Sequence, residues 1–194
     1  MNKKNLLIIL TCIFLPLFIL LSSYQISLKF IEKTIVQEQT INLIREERSE
    51  QLLAAPLNYN YTAQEISHLK DVEKVMTWAD SLWLFSVIAL LMLLSLYFSH
   101  KNKWLIWKQL YYGSLTTIIL LSVTLFSSIF LFQILFTIFH LIFFPQGNWI
   151  FPMESLLIIT FPQKFFQDIA LFIFSISLTL GIISYLIARN KLKK

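Results

Sequence analysis

The sequence predicts an all-α integral membrane protein: four transmembrane helices with a small extracellular helical cap. Three observations carry that prediction. Of the 194 residues, 57% are hydrophobic and 14% charged, where a soluble domain carries about 25% charged residues. Eighteen Phe and a mean hydropathy of +0.69 exceed what a soluble core of this length absorbs. The apolar residues also gather in four runs, Leu6–Leu21, Leu82–Phe98, Leu110–Phe139 and Phe165–Ala188. Each is near or above the roughly 17–25 residues that cross a ~30 Å hydrocarbon core.

The expected spans are therefore about 5–22, 81–99, 110–139 and 165–188, within a single membrane domain 1–194. The first follows Lys3 and Lys4 but lacks a small-residue cleavage site, so it reads as an uncleaved helix, kinked at Pro16. Charge gives the orientation. Nine cations (Lys3, Lys4, Lys101, Lys103, Lys108, Arg189, Lys191, Lys193 and Lys194) fall on one side with no acid among them. All eleven Asp and Glu fall in the other segments or at their borders. Both termini and the short 99–109 loop are expected in the cytoplasm, with His100 as one more residue of that basic side. The basic balance is topological and gives no reason to expect nucleic acid.

Composition excludes several chemistries. A lone Cys12 leaves no disulfide framework, CxxC pair or multi-thiolate metal site. Gly113, Gly147 and Gly181 lie too far apart for a phosphate-cradling loop.

The extracellular cap, 23–80, opens with helix-forming residues 23–55. Ile26, Phe30, Ile31, Ile35, Ile41 and Ile44 recur at the spacing of an amphipathic helix lying on the membrane. Arg45–Glu50 reads as a solvated face, and Pro56 ends the helix. Thr62-Ala63-Gln64-Glu65 is a capping box. The helix that it starts carries Glu65, His68 and Asp71 one turn apart. Were that helix continuous into the second span, His68 would stand about 21 Å above Leu82 at ~1.5 Å per residue. A site near the membrane then calls for a bend, with Thr77, Asp80 and Ser81 as a fresh N-cap.

The aromatic loop, 140–164, begins with His140 at the end of the third span. Pro145–Asn148 reads as a turn with Gly147 at positive φ. Leu156–Phe161 is too short to span and reads as re-entering the interface before Pro162. Asp168 reads as an acid that compensates the dipole of the fourth helix. An exposed histidine beside acids is ordinarily a surface residue. An aromatic belt explains Phe and Trp here, but not a His-Gly-Asn set among them. Two histidines on one outer face point either to proton transfer near an ester or amide, or to ligation of a metal or haem.

The stretch Glu65-Ile66-Ser67-His68-Leu69-Lys70-Asp71-Val72 resembles the E-x-x-H-L-x-D-V motif of the bacterial lipoprotein intramolecular transacylases. Phe139–Asp168 is similar to that family's second motif, F-H-x-x-F-F-P-x-G-x-W-x-F, followed by an apolar stretch, F-P and an aromatic pair before an Asp. The resemblance implies an acyltransferase that acts on diacylglyceryl-modified bacterial lipoproteins. The sn-2 acyl chain moves to the α-amino group of the same lipoprotein's N-terminal cysteine, leaving the lyso form. It implies His68 and His140 as the catalytic pair, with Asp71 or Glu65 orienting His68; the motif leaves position 148 open, and Asn148 as a donor to the oxyanion is a reading of our own. Phe143, Phe144, Gly147, Trp149 and Phe151 would confine the substrate. No cofactor and no metal are expected. The implied protein is a monomer in the bacterial plasma membrane, in contact with membrane lipid and with its active site on the extracellular face. A haem- or metal-binding subunit, and a non-catalytic tetraspan partner protein, are the alternative readings.

Overall fold

The computed structural model describes residues 3–46, 48, 49, 51, 61–100 and 103–193. Among the described residues every regular element is a helix: α1 (Lys3–Phe30), α2 (Ile35–Arg45), α3 (Ala63–His100), α4 (Lys103–Phe130), α5 (Phe132–Phe143), α6 (Leu156–Thr160) and α7 (Gln163–Leu192). Four of them contain windows long and apolar enough to cross a membrane: Lys4–Phe30, Ala63–Leu96, Trp104–Phe130 and Gln163–Leu192. Pro56, Lys101 and the side chain of His100 lie outside the described residues, as do Glu47 and Glu50 of the charge run.

By packing, the chain divides into two units. One comprises Met1–Lys29, Asp80–Ile129 and Ala170–Lys194. Its core is Leu15, Ile19 and Leu121, with Phe18, Leu90, Leu110 and Phe174 against them. Close helix approach depends on small residues. A Cβ on Gly113 of α4 would stand 3.0 Å from Leu15 and Thr11 side-chain atoms of α1. Several hydroxyls in this unit return to their own helix: Ser23 donates to Ile19 O (2.9 Å), Ser114 to Leu110 O (2.6 Å) and Thr117 to Gly113 O (2.8 Å). Such back-bonding satisfies polar groups where lipid offers no partner.

The other unit comprises Phe30–Ala79 and Phe130–Ile169 and holds the candidate site. Its core is Ile44, Tyr61, Ile66, Leu69, Leu157 and Phe161. Gln37 of α2 donates to Thr160 O at 2.6 Å, and the Thr40 and Tyr61 hydroxyls meet at 3.2 Å. These bonds join α2 to the aromatic loop and to the start of α3.

Several expectations need correction. Among the described residues of 23–55, the expected single amphipathic helix is divided between two helices. α1 continues to Phe30, and α2 starts afresh at a capping box in which Thr34 Oγ1 accepts from Gln37 N and Gln37 Oε1 from Thr34 N. The expected bend at Thr77–Ser81 is absent, because α3 is continuous. Thr77 bonds back to Glu73 O within the helix (3.0 Å), and Asp80 accepts from Gln25. The third apolar run is not one helix either. It breaks at Leu131 (φ −126°, ψ 23°), so α4 ends at Phe130 and a separate α5 carries His140. α4 also begins at Lys103, inside the expected 99–109 loop.

The 38 residues of α3 extend about 57 Å at ~1.5 Å per residue, well beyond a ~30 Å hydrocarbon core. The apolar run that begins at Leu82 is its spanning part. The stretch with Glu65, Lys70, Asp71, Glu73 and Lys74 lies outside it, and His68 with them.

Candidate active site

The site is built on the first turns of α3, the last turns of α5 and the loop that follows. Thr62 and Glu65 form the expected capping box: Glu65 N donates to Thr62 Oγ1 (3.3 Å), and Glu65 Oε2 accepts from Thr62 N (2.6 Å) and Thr62 Oγ1 (2.8 Å). Glu65 is 1% exposed, and its other oxygen accepts from Leu157 N at 2.7 Å. One buried side chain thus ties the second residue of α6 to the start of α3. Both oxygens are used in this way, so Glu65 anchors the loop rather than orienting His68.

One turn on, His68 faces His140 of α5. The two rings lie 6.0 Å apart with 24° between their planes, and both are buried. Aromatic side chains enclose them. Phe144 stands edge-on to His68 at 4.6 Å and lies 5.4 Å from His140. Phe151 is 5.7 Å from His68, while Trp149 and Phe136 are 4.8 and 4.1 Å from His140.

Each imidazole has one committed nitrogen. His140 Nδ1 lies 2.7 Å from Phe136 O. A carbonyl only accepts, so Nδ1 carries the hydrogen, and in the neutral ring Nε2 holds the lone pair. His68 hydrogen-bonds the side chain of Asn148, and its Nδ1 is buried with no partner.

Asp71 stands behind this pair without touching it directly. Its Oδ1 accepts from Lys74 at 2.9 Å, and its Oδ2 from Gln146 (2.6 Å) and Asn148 (2.8 Å). Asn148 Nδ2 also donates to Ser67 Oγ at 3.4 Å, and its Oδ1 accepts from Gln146 at 3.2 Å. The Asn148 amide hydrogens are therefore in use. Asn148 thus stands between Asp71 and His68. Ser67 and Gln146 are members of this network that sequence reasoning missed. Ser67 sits beside His68 in the first motif and Gln146 beside Gly147 in the second, but neither residue type signals a role alone.

The His68 pKa is lowered to about 4, by burial above all and by the charge of His140 after it. Asp71 and the bond to Asn148 oppose that shift. Burial also lowers His140, against its bond to the Phe136 carbonyl. For Asp71, burial pulls upward, but the hydrogen bonds from Lys74 and Asn148, with the Lys74 charge, hold it below the usual carboxylate value. At neutral pH the centre is two adjacent neutral imidazoles backed by one carboxylate.

Gly147 adopts φ +78°, as its turn demands, and donates to Phe144 O at 3.1 Å. This turn carries Gln146 and Asn148 to Asp71. Phe143 is placed differently from Phe144, Trp149 and Phe151. It stacks near Phe139 (4.7 Å) and lines a cavity of about 300 Å³ with Asp71, Lys74, Trp78 and Gln146. Asp168 pairs with Lys164 at 2.8 Å, away from the histidines. Among the described residues no three His, Cys, Asp or Glu side chains gather as a metal-holding group.

A family model described as lipoprotein intramolecular transacylase Lit matches residues 6–166. The fold is similar to a solved structure of the membrane-integral lipoprotein intramolecular transacylase Lit from Bacillus cereus. The TM-score is 0.75 at 18% identity, covering 98% of this chain and 96% of that one. Two structures of the Bacillus cereus protein with a histidine replaced match as well. The arginine variant has a TM-score of 0.68 at 17% identity, covering 98% and 92% of the two chains. The alanine variant has 0.69 at 18%, covering 98% and 94%. No curated protein matches the sequence.

Proposed function

The chain belongs to the lipoprotein intramolecular transacylase Lit family, a family of acyltransferases, and from that premise we propose that His68 and His140 act as one proton-carrying pair. The substrate is a lipoprotein whose N-terminal cysteine bears a diacylglyceryl group and a free α-amine. The amine nitrogen attacks the sn-2 ester carbonyl through an eight-membered ring. A C–N bond forms, and the sn-2 C–O bond breaks. The proton leaves nitrogen and ends on the sn-2 oxygen, which becomes a free hydroxyl.

Electrophile and nucleophile both belong to the substrate, so the reaction asks for no serine or cysteine nucleophile. What the protein contributes is a proton acceptor, a place for transient charge and an enclosed geometry that brings the two ends together. The pair takes a proton from the amine and returns it to the departing oxygen. Two imidazoles this close titrate together, so the cation belongs to both. Asp71 by its charge, and Asn148 by its hydrogen bond, favour it at the His68 end. Phe144, Trp149 and Phe151 exclude water, which would otherwise compete for the acyl group. The charge asymmetry of the sequence supports termini in the cytoplasm and the histidines on the extracellular side.

The observation that carries this reading is the two buried imidazoles 6.0 Å apart within an aromatic enclosure. The test is mass spectrometry of a reporter lipoprotein's N-terminal tryptic peptide. The host is a bacterium with no other enzyme that acylates this nitrogen. With the protein present the peptide should be N-acyl and S-monoacylglyceryl. With His68→Ala or His140→Ala it should stay diacylglyceryl with a free amine, a loss of at least about 100-fold for removing general acid–base catalysis. Full activity in either folded variant refutes the pair.

A further inference from the structure

The end of the membrane unit formed by the start of α4 and the close of α7 carries a cluster unrelated to the histidines. Lys108 Nζ lies 4.6 Å above the Trp104 ring, and Lys191 Nζ lies 5.9 Å from the Trp107 ring, bridging from α7 to α4. Next to them the Tyr111 and Tyr185 rings stand 5.0 Å apart, with Arg189 close enough to act on Tyr111. Trp104 is 54% exposed, and Arg189 and Lys191 are exposed as well.

These cations have no acid on their own helices to pair with. α4 contains no Asp or Glu. In α7 the one acid is Asp168, near the opposite end, where Lys164 engages it. An ammonium above an indole face keeps N–H donors free on its outer side. Trp and Tyr side chains at this depth sit at the headgroup level of a bilayer. Cations, amphipathic aromatics and adjoining apolar helix together suit a ligand with an anionic head and acyl tails.

We propose that Trp104, Trp107, Lys108, Arg189 and Lys191 form a binding site for the headgroup of an anionic glycerophospholipid. The phosphate lies between the Lys108, Arg189 and Lys191 cations, and the acyl chains run along α4 and α7. The site is separate from the reaction centre and does not depend on the chemistry assigned there.

The test is native mass spectrometry of the full chain in detergent, titrated separately with phosphatidylglycerol and phosphatidylcholine, and with phosphatidylglycerol in the presence of inorganic phosphate. Phosphatidylglycerol should bind at least about tenfold more tightly than phosphatidylcholine, from about fivefold per cation. Lys108→Gln and Lys191→Gln should each weaken it roughly fivefold and leave phosphatidylcholine binding unchanged. Lys164→Gln, outside the cluster, should change neither. If a lysine variant does not fold, as judged by circular dichroism, Arg189→Gln at its exposed position gives the same reading. Equal binding of the two lipids, or unchanged phosphatidylglycerol binding in the folded variants, overturns the proposal. Displacement of the lipid by millimolar inorganic phosphate would identify a free-anion site and overturn it too.

Discussion

His68 and His140 are buried imidazoles, and burial decides their protonation more than any single neighbour does. Asp71 pulls the other way on His68 by its charge, and the hydrogen bond to Asn148 does so separately. Removing that charge lowers the His68 pKa below its value of about 4. Nuclear magnetic resonance titration of labelled histidines in Asp71→Asn should show this; an unchanged or raised midpoint contradicts the charge effect. The same burial has a consequence for stability. Between the unperturbed histidine value near 6.5 and about 4, the unfolded chain takes up a proton that folded His68 refuses. The protein should therefore be most stable above pH 6.5 and lose stability as the pH falls through that window. The motif residues around His68 were legible in the sequence because their spacing is helical. The partners of Asp71 were not: i, i+3 spacing allows a contact, while the turn at Gly147 brings Asn148 and Gln146 to the carboxylate instead.

Helix ends position the site, and they were legible where a local side chain makes them. The Thr62–Glu65 box starts α3 as the sequence predicts. Thr34–Gln37 starts α2 by the same means and was overlooked, although Thr-x-x-Gln has the form of a capping box. The break at Leu131 has no such signal. Neither Pro nor Gly marks it, and only tertiary packing distinguishes α5 from a continuation of α4. The same applies to α3, whose polar Thr77 and Asp80 find partners without interrupting the helix. Glu65 carries the strongest prediction at this scale. Glu65→Ala leaves the amides of Thr62 and Leu157 without their acceptor, at about 1–3 kcal/mol each where buried. Thermal denaturation in detergent should show a melting temperature lowered by several degrees, with Glu65→Gln intermediate because it keeps one acceptor oxygen. A wild-type melting curve for Glu65→Ala contradicts the anchoring role.

For the whole molecule, composition made the fold class plain: 14% charge over 194 residues leaves lipid as the solvent for four helices. The extent of those helices was less plain, since α3 continues into charged sequence and α4 begins within the basic loop. Hydropathy marks where a helix meets lipid, while hydrogen bonding decides where it ends. The nine cations on one side predict an orientation with both termini in the cytoplasm. In a Cys12→Ser background, Glu154→Cys should react with a membrane-impermeant maleimide added to intact cells. Lys193→Cys should react only after permeabilisation. The reverse pattern inverts the topology and puts the histidines on the wrong side for exported lipoproteins.

The central claim is that the acyl chain stays within one substrate molecule, and a crossover experiment tests it most directly. Two synthetic diacylglyceryl-cysteine peptides are mixed with the purified protein, one with a deuterated sn-2 chain on a light peptide, the other with an ordinary chain on a heavy peptide. The account predicts N-acyl products in which deuterium is found on the light peptide alone. Deuterium distributed over both peptides would contradict it, because the acyl chain would then have passed between molecules.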